Sequence, residues 1–181
     1  MRNITQVVLH HTAVEGKSQA EGVERNHRER FKGQNPEGIA YHYLYENDGT
    51  EIIGRPEGSI GWHAGVWKVN KRSIGMCLAG RFSEDTSATE DQLESISSRL
   101  VDVCVRHRIR WDNVKLHRDI KSTSCPGIDL KLLISSSGYL QKEEERKLDR
   151  LKRALRITSR VRMLRYWILK RKIAFLETQF N

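Results

Sequence analysis

Three residues far apart in the sequence carry side chains that could hold a metal ion: His10, His117 and Cys125. Each falls where a short structural run stops. His10 closes the apolar run 4–9, His117 follows the run VKL, and Cys125 precedes Pro126-Gly127, a pair that defines a turn. Two imidazoles and one thiolate leave a divalent cation at net +1 with one open position, a donor set suited to a hydrolytic zinc centre. Zinc in such a centre lowers the pKa of water toward about 7. Spacing alone makes no zinc motif here, and a lone histidine is more often a hydrogen-bonded surface residue. From the residues themselves the reading stops at a candidate metal site. His11 reads as a residue of the other strand face, and His27, His42 and His107 as structural or surface groups. Cys77 and Cys104 lie in apolar runs and read as buried small hydrophobes; three cysteines make no disulfide framework.

These residues need elements to position them. The branched run 4–9 predicts a buried strand, residues 18–31 a helix, and the aromatic run 39–45 another strand. Asn47-Asp48-Gly49 before the β-rich run 50–53 is a strong hairpin signal. Residues 73–78 and 114–116 read as further strands. Leu93, Ile96, Leu100, Val103 and Cys104 recur at helical spacing across 89–106, with Ser87 or Thr89 as its cap. Asp129 starts a last short helix, and the body ends near Ser135-Ser136-Ser137-Gly138. Strands alternating with helices predict an α/β fold: one domain, residues 1–138, with a central mixed β-sheet flanked by helices, followed by a basic helical extension, residues 139–181.

The formal charge of +9 belongs to that extension. Of 32 Lys/Arg and 23 Asp/Glu, 13 and 5 fall in residues 141–181, leaving 19 and 18 in the rest. The basic pI therefore gives no licence to read the body as a nucleic-acid binder. Leu148, Leu151 and Leu155 share one side of a helix, and Ile157, Val161, Leu164 and Ile168 lie nearly opposite. Leu169, Ile173, Leu176 and Phe180 return to the first side, which predicts a break near Thr158-Ser159 or a helix contacted on two sides. The extension reads either as a solvated helix pair packed on the body or on a second copy, or as an attachment to anionic membrane or wall polymers through Tyr166-Trp167-Ile168-Leu169. Oligomeric state stays open. The N-terminus is a poor signal peptide, so synthesis in a cytoplasm is expected, with action on a wall after release.

Four segments, LHHTAV, AYHYLYENDGTEIIGRPEGSIGWHAG, NKRSIGMCLAG and HRDIKSTSCPG, resemble the signature blocks of the type-2 amidase family, which includes phage amidase lysozymes and peptidoglycan recognition proteins. They stand in the family's order and cover roughly residues 4–135. The resemblance implies a zinc-dependent N-acetylmuramoyl-L-alanine amidase cutting the amide between N-acetylmuramic acid and L-alanine of peptidoglycan. With no signal peptide, small size and a basic tail, a phage endolysin is expected. Residue by residue it implies one Zn2+ held by His10, His117 and Cys125, with Tyr41 orienting water or the substrate carbonyl. Members with serine at the cysteine position tend to bind without zinc, so Cys125 favours an enzyme. One departure is Thr123, where phage members often carry a catalytic lysine; Thr123 is expected to assist with a neutral hydrogen bond. Lys121 is out of register for that role. His63 is expected to line the substrate groove near the metal, with a structural role as its alternative. Trp62 reads equally as a sugar-stacking or a core residue, and Asn70 and Arg55 as substrate contacts or loop-shaping groups. A non-catalytic module binding peptidoglycan or a protein on the same fold is the alternative.

Overall fold

The computed structural model describes residues 2–16, 19–32, 38–158 and 163–179. The N-terminal apolar run forms β1 (Gln6–His11), which ends one residue beyond His10. It lies between two parallel neighbours, β4 (Ser73–Leu78) and β5 (Val114–Leu116). Strand β2 (Tyr43–Tyr45) pairs parallel with β4, and β3 (Glu51–Ile53) closes the edge antiparallel to β2. The sheet is thus mixed, in the order β3-β2-β4-β1-β5. Burial on both faces explains why β1 and β4 read as continuous apolar runs.

The pleat divides the side chains between two layers. Val7, Leu9, Tyr43, Tyr45, Ile74, Met76, Leu78, Val114 and Leu116 point to one face, where they meet Ile96, Leu100, Val103 and Cys104 of α3 (Glu90–His107) and Leu130 and Ile134 of α4 (Leu130–Ser136). The alternate residues Leu44 and Cys77 meet Val23 of α1 (Ala20–Arg30) and Ile39 on the other face. His10, in register with Cys77, belongs to this second layer.

Thr89 caps α3. Its hydroxyl accepts from Gln92 N and the Gln92 side chain accepts from Thr89 N, both at 3.1 Å. The Gln92 amide also donates to Tyr45 O and Ala79 O, pinning the helix start to the strand ends. Helix α1 is capped from outside. Glu46 accepts from Gln19 N and Ala20 N at 2.7–3.0 Å, placing a carboxylate at the positive end of the helix. The predicted first residue, Ser18, lies outside the described residues.

Two expectations change. The strand expected over 39–45 is regular only at Tyr43–Tyr45, because Ala40, Tyr41 and His42 bond sideways to Trp62, Arg55 and Gly54 as well as to β4. A four-residue helix, α2 (Trp67–Asn70), is too short to leave a periodic signature. Beyond Gly138, α5 (Tyr139–Thr158) and α6 (Met163–Gln179) pack against α3. Leu140, Leu151, Ile173 and Leu176 are buried in the same core as the sheet. Helix α5 ends at Thr158; Ser159, Val161 and Phe180 lie outside the described residues, as do the side chains of Ile157, Leu164 and Tyr166.

Candidate metal centre

His10 and His117 meet because β1 and β5 are parallel and in register at Leu9 and Leu116. The next residue of each strand then stands side by side, with ring centroids 4.5 Å apart. Asp119 holds the turn after β5 by accepting from Leu116 N at 2.8 Å. The chain returns when Arg118 N donates to Cys125 O at 2.9 Å. Cys125 Sγ thereby comes to 3.9 Å from His10 Nδ1 and accepts from His11 N at 3.4 Å. Gly127 keeps this return tight: its φ is +85°, and a Cβ there would lie 2.0 Å from Phe82 O. One donor atom from each of His10, His117 and Cys125 lies within 4.8 Å of the others.

A chain of hydrogen bonds sets the tautomers. Ser73 Oγ donates to Val69 O at 2.8 Å, so its lone pair accepts from His63 Nε2–H at 3.2 Å. His63 Nδ1 is then bare and accepts from His10 Nε2–H at 2.9 Å. His10 Nδ1 is left with a free lone pair on the side of Cys125. His117 Nε2–H donates to Ala64 O at 3.1 Å, which frees its Nδ1 in the same way. Asn70 Oδ1 in turn accepts from Ala64 N at 2.9 Å. The single segment 62–73 therefore orients both imidazoles, the outer support that histidine ligands require.

Burial, reinforced by the neighbouring imidazoles, holds His10 well below the ordinary histidine range, and burial lowers His117 as well. Both are neutral donors at physiological pH. Burial pushes the Cys125 thiol up to about 11 against the opposing pull of His11 N–H and Arg118, so an added cation is what would strip its proton. Two neutral imidazoles with fixed tautomers and a thiol, converging with room for water, fit zinc. Burial first, then the sulfur atoms of Cys77 and Cys125, keep the Tyr41 phenol protonated. Its ring lies 5.1 Å from that of His10.

A cavity of about 320 Å³ opens over the centre, lined by His27, Arg30, Phe31, Tyr41, Trp62, His63, Gly65, Trp67, Asn70, His117 and Lys121. A second, of about 370 Å³, continues along α1 past Thr12, Gln19 and Asn26, and shares Tyr41 and His27 with the first. Phe31, Trp62 and Trp67 make an aromatic wall.

Residues 1–128 match the family model described as N-acetylmuramoyl-L-alanine amidase. The chain belongs to this amidase family. It is 32% identical over 134 residues to the endolysin of Enterobacteria phage T3, covering 72% of this chain and 85% of that relative. The amidase LysC from Clostridium intestinale URNW superposes with a TM-score of 0.65 at 29% identity, over 75% of this chain and 85% of that one. The Drosophila peptidoglycan recognition protein SD shares the fold, with a TM-score of 0.63 at 22% identity over 75% and 81% of the two chains.

Within this amidase framework the remaining site residues sort by what they touch. His63 lines the cavity, yet both its ring nitrogens are engaged, one by His10 and one by Ser73. Asn70 lines the cavity and also accepts from Ala64 N, and Arg55 donates to Ile60 O. Trp62 is half-buried and lines the cavity, in ring contact with Phe31 and Trp67. Thr123 is exposed, does not line the cavity, and accepts from Cys125 N at 3.3 Å. Lys121, which is out of register with the lysine of phage members, nonetheless stands at the cavity wall, beside Gly65. His27 also borders both cavities, its Nδ1 accepting from Ala40 N, and no local signal marks it out. His42 is structural: its Nδ1 accepts from Gly75 N and its Nε2–H donates to Ser59 O.

Proposed function

We propose that this protein is a zinc-dependent N-acetylmuramoyl-L-alanine amidase that hydrolyses the amide between N-acetylmuramic acid and L-alanine of peptidoglycan, acting as a phage endolysin. The convergence of His10, His117 and Cys125 donor atoms beside a cavity that His117 itself lines carries the reading. Family membership and the similarity to phage endolysins support it. His10 Nδ1, His117 Nδ1 and Cys125 Sγ would hold the ion, which when bound supplies Lewis acidity and acidifies water.

The chain's own groups do the rest. The cavity over the centre seats the lactyl carbonyl, and the aromatic wall of Phe31, Trp62 and Trp67 offers flat faces to the sugar. Water oxygen adds to the carbonyl carbon while Tyr41 O–H donates to the carbonyl oxygen as it becomes negative. The proton that the water gives up on adding passes to alanine nitrogen as the C–N bond breaks, so that the alanine leaves as a neutral amine and the lactyl group as a carboxylic acid that ionises in water. Lys121, the cation at the cavity wall, supports the developing negative charge, and Thr123 shapes the loop that presents Cys125.

The test is release of free amines from purified peptidoglycan, with chelator and with zinc added back. Release that falls with chelator and returns with zinc is expected. Stoichiometric zinc without release from any wall type would favour a non-catalytic binding module.

A further inference from the structure

Between positions 150 and 176 the chain carries ten Lys/Arg and no acidic residue. The acidic residues of the extension stand outside that window, at Glu143, Glu144, Glu145, Asp149 and Glu177. The structure turns this segregation into geometry. Lys152 pairs with Glu177 at 3.3 Å while Leu155 shares a groove with Ile173 and Trp167, so α5 and α6 run antiparallel as a hairpin. Its base is tied to the body by Lys147 with Asp102 and by the buried Leu140, Leu151 and Leu176. Among the described residues of this basic stretch, Arg153, Lys170 and Arg171 are exposed.

Helix α6 has two faces. At 100° per residue, Leu169, Ile173 and Leu176 share the side that packs inward, while Trp167 and Arg171 lie opposite, flanked by Ile168 and Lys170. Trp167 is 61% and Ile168 48% exposed, two adjacent large apolar side chains among exposed cations. A large aromatic and an aliphatic side chain exposed next to one another amid cations is the composition of an interfacial helix. Phosphates of nucleic acid would use the cations but not the aliphatic Ile168. A bilayer interface uses both: aromatic and aliphatic side chains sink to headgroup level while Lys and Arg face the phosphates. No described helix is long and apolar enough to span, so the mode is surface docking.

We propose that the α5–α6 hairpin docks this protein on an anionic phospholipid surface through Trp167 and Ile168, with Arg153, Lys170 and Arg171 facing the lipid phosphates. The hairpin packs on α3, on the sheet face away from His10, so docking leaves the catalytic cavity open.

The full chain is sedimented with vesicles of 3:1 phosphatidylcholine and phosphatidylglycerol, and with phosphatidylcholine alone, across a salt series. Binding to the anionic vesicles that weakens steadily with salt, and little to the neutral ones, is expected. Each basic residue at an anionic surface is worth about fivefold in affinity, so Arg153→Glu with Arg171→Glu should cost roughly 25-fold or more. Trp167→Ser should weaken binding several-fold at unchanged charge and remove quenching by brominated lipid. All three positions are exposed, so thermal melts and amine release from vesicle-free peptidoglycan should stay at the parent level. Equal binding to neutral vesicles, no binding at low salt, or charge-only behaviour with Trp167→Ser unchanged would overturn the proposal. Tighter retention on duplex DNA or on phosphate-bearing wall polymer than on vesicles would do so too.

Discussion

Replacing His63 by phenylalanine tests the hydrogen-bond chain that prepares the metal centre. Phenylalanine keeps the ring volume and removes the acceptor. With a metal on Nδ1, His10 must carry its proton on Nε2. That N–H is 1% exposed as a residue and has His63 Nδ1 as its partner at 2.9 Å. In the metal-free protein the proton can shift to Nδ1, toward Cys125 Sγ, so the lost acceptor weighs mainly on the bound state. A buried donor without a partner costs about 1–3 kcal/mol, which is roughly 5- to 150-fold in affinity. Loss of such outer support typically costs about 10–100-fold. Zinc affinity of His63→Phe, measured by competition with a chelating dye, should fall into that range. Amine release should recover toward the parent kcat once zinc is raised. Unchanged affinity would refute the reasoning. Activity lost equally at every zinc concentration, with KM raised, would instead make His63 a substrate contact.

Two further outcomes are expected. Lys121→Met should lower kcat about tenfold or more with KM nearly unchanged, whereas Thr123→Val should change kcat little. The reverse ranking in steady-state assays would return the role to Thr123. Glu144 on α5 is buried, its Oε1 has no hydrogen-bond partner among the described residues, and burial with the charge of Glu145 lifts its carboxyl to about 8. The folded state therefore holds a proton that the unfolded state releases above about 4.5, and stability is lost as pH rises from there toward 8. After screening by nearby solvent the effect is about 1 kcal/mol. Glu144→Gln should raise Tm by about 2–4 °C at pH 8 and leave it unchanged at pH 4. An equal shift at both pH values would contradict this sign.

Local patterns were enough for the elements whose causes are local. The branched run of β4, the strand VKL and the period of α3 are all read from neighbours in sequence, while the choice of Thr89 over Ser87 as its cap is made only by the fold. The three candidate ligands needed the family resemblance, because strand register, not spacing, brings His117 beside His10. Gly75 shows why the support of the site was hidden. Nothing in SIGMC singles it out, yet a Cβ there would lie 2.5 Å from the His63 ring, so the strand is notched to admit that imidazole. Val69 O, Ala64 O and Asn70 act through backbone and amide groups that any sequence offers, and only the folded loop aims them. The apolar stripes Leu148, Leu151, Leu155 and Leu169, Ile173, Leu176 pack into the core as their spacing suggests, while most of the opposite-facing run between them lies outside the described residues. That α5 and α6 would pack on α3 was one of several readings, since packing depends on the partner surface.

The order in which the candidate ligands appear along the chain has a consequence for synthesis. His10 emerges among the first residues, but its companions stand at 117 and 125, and the turn that returns Cys125 relies on Gly127. A nascent chain halted anywhere earlier lacks a complete donor set, however well its first strands have folded. On the proposed zinc-dependent function, amidase activity would therefore switch on only once synthesis has passed Gly127, and shorter products would be inert toward peptidoglycan.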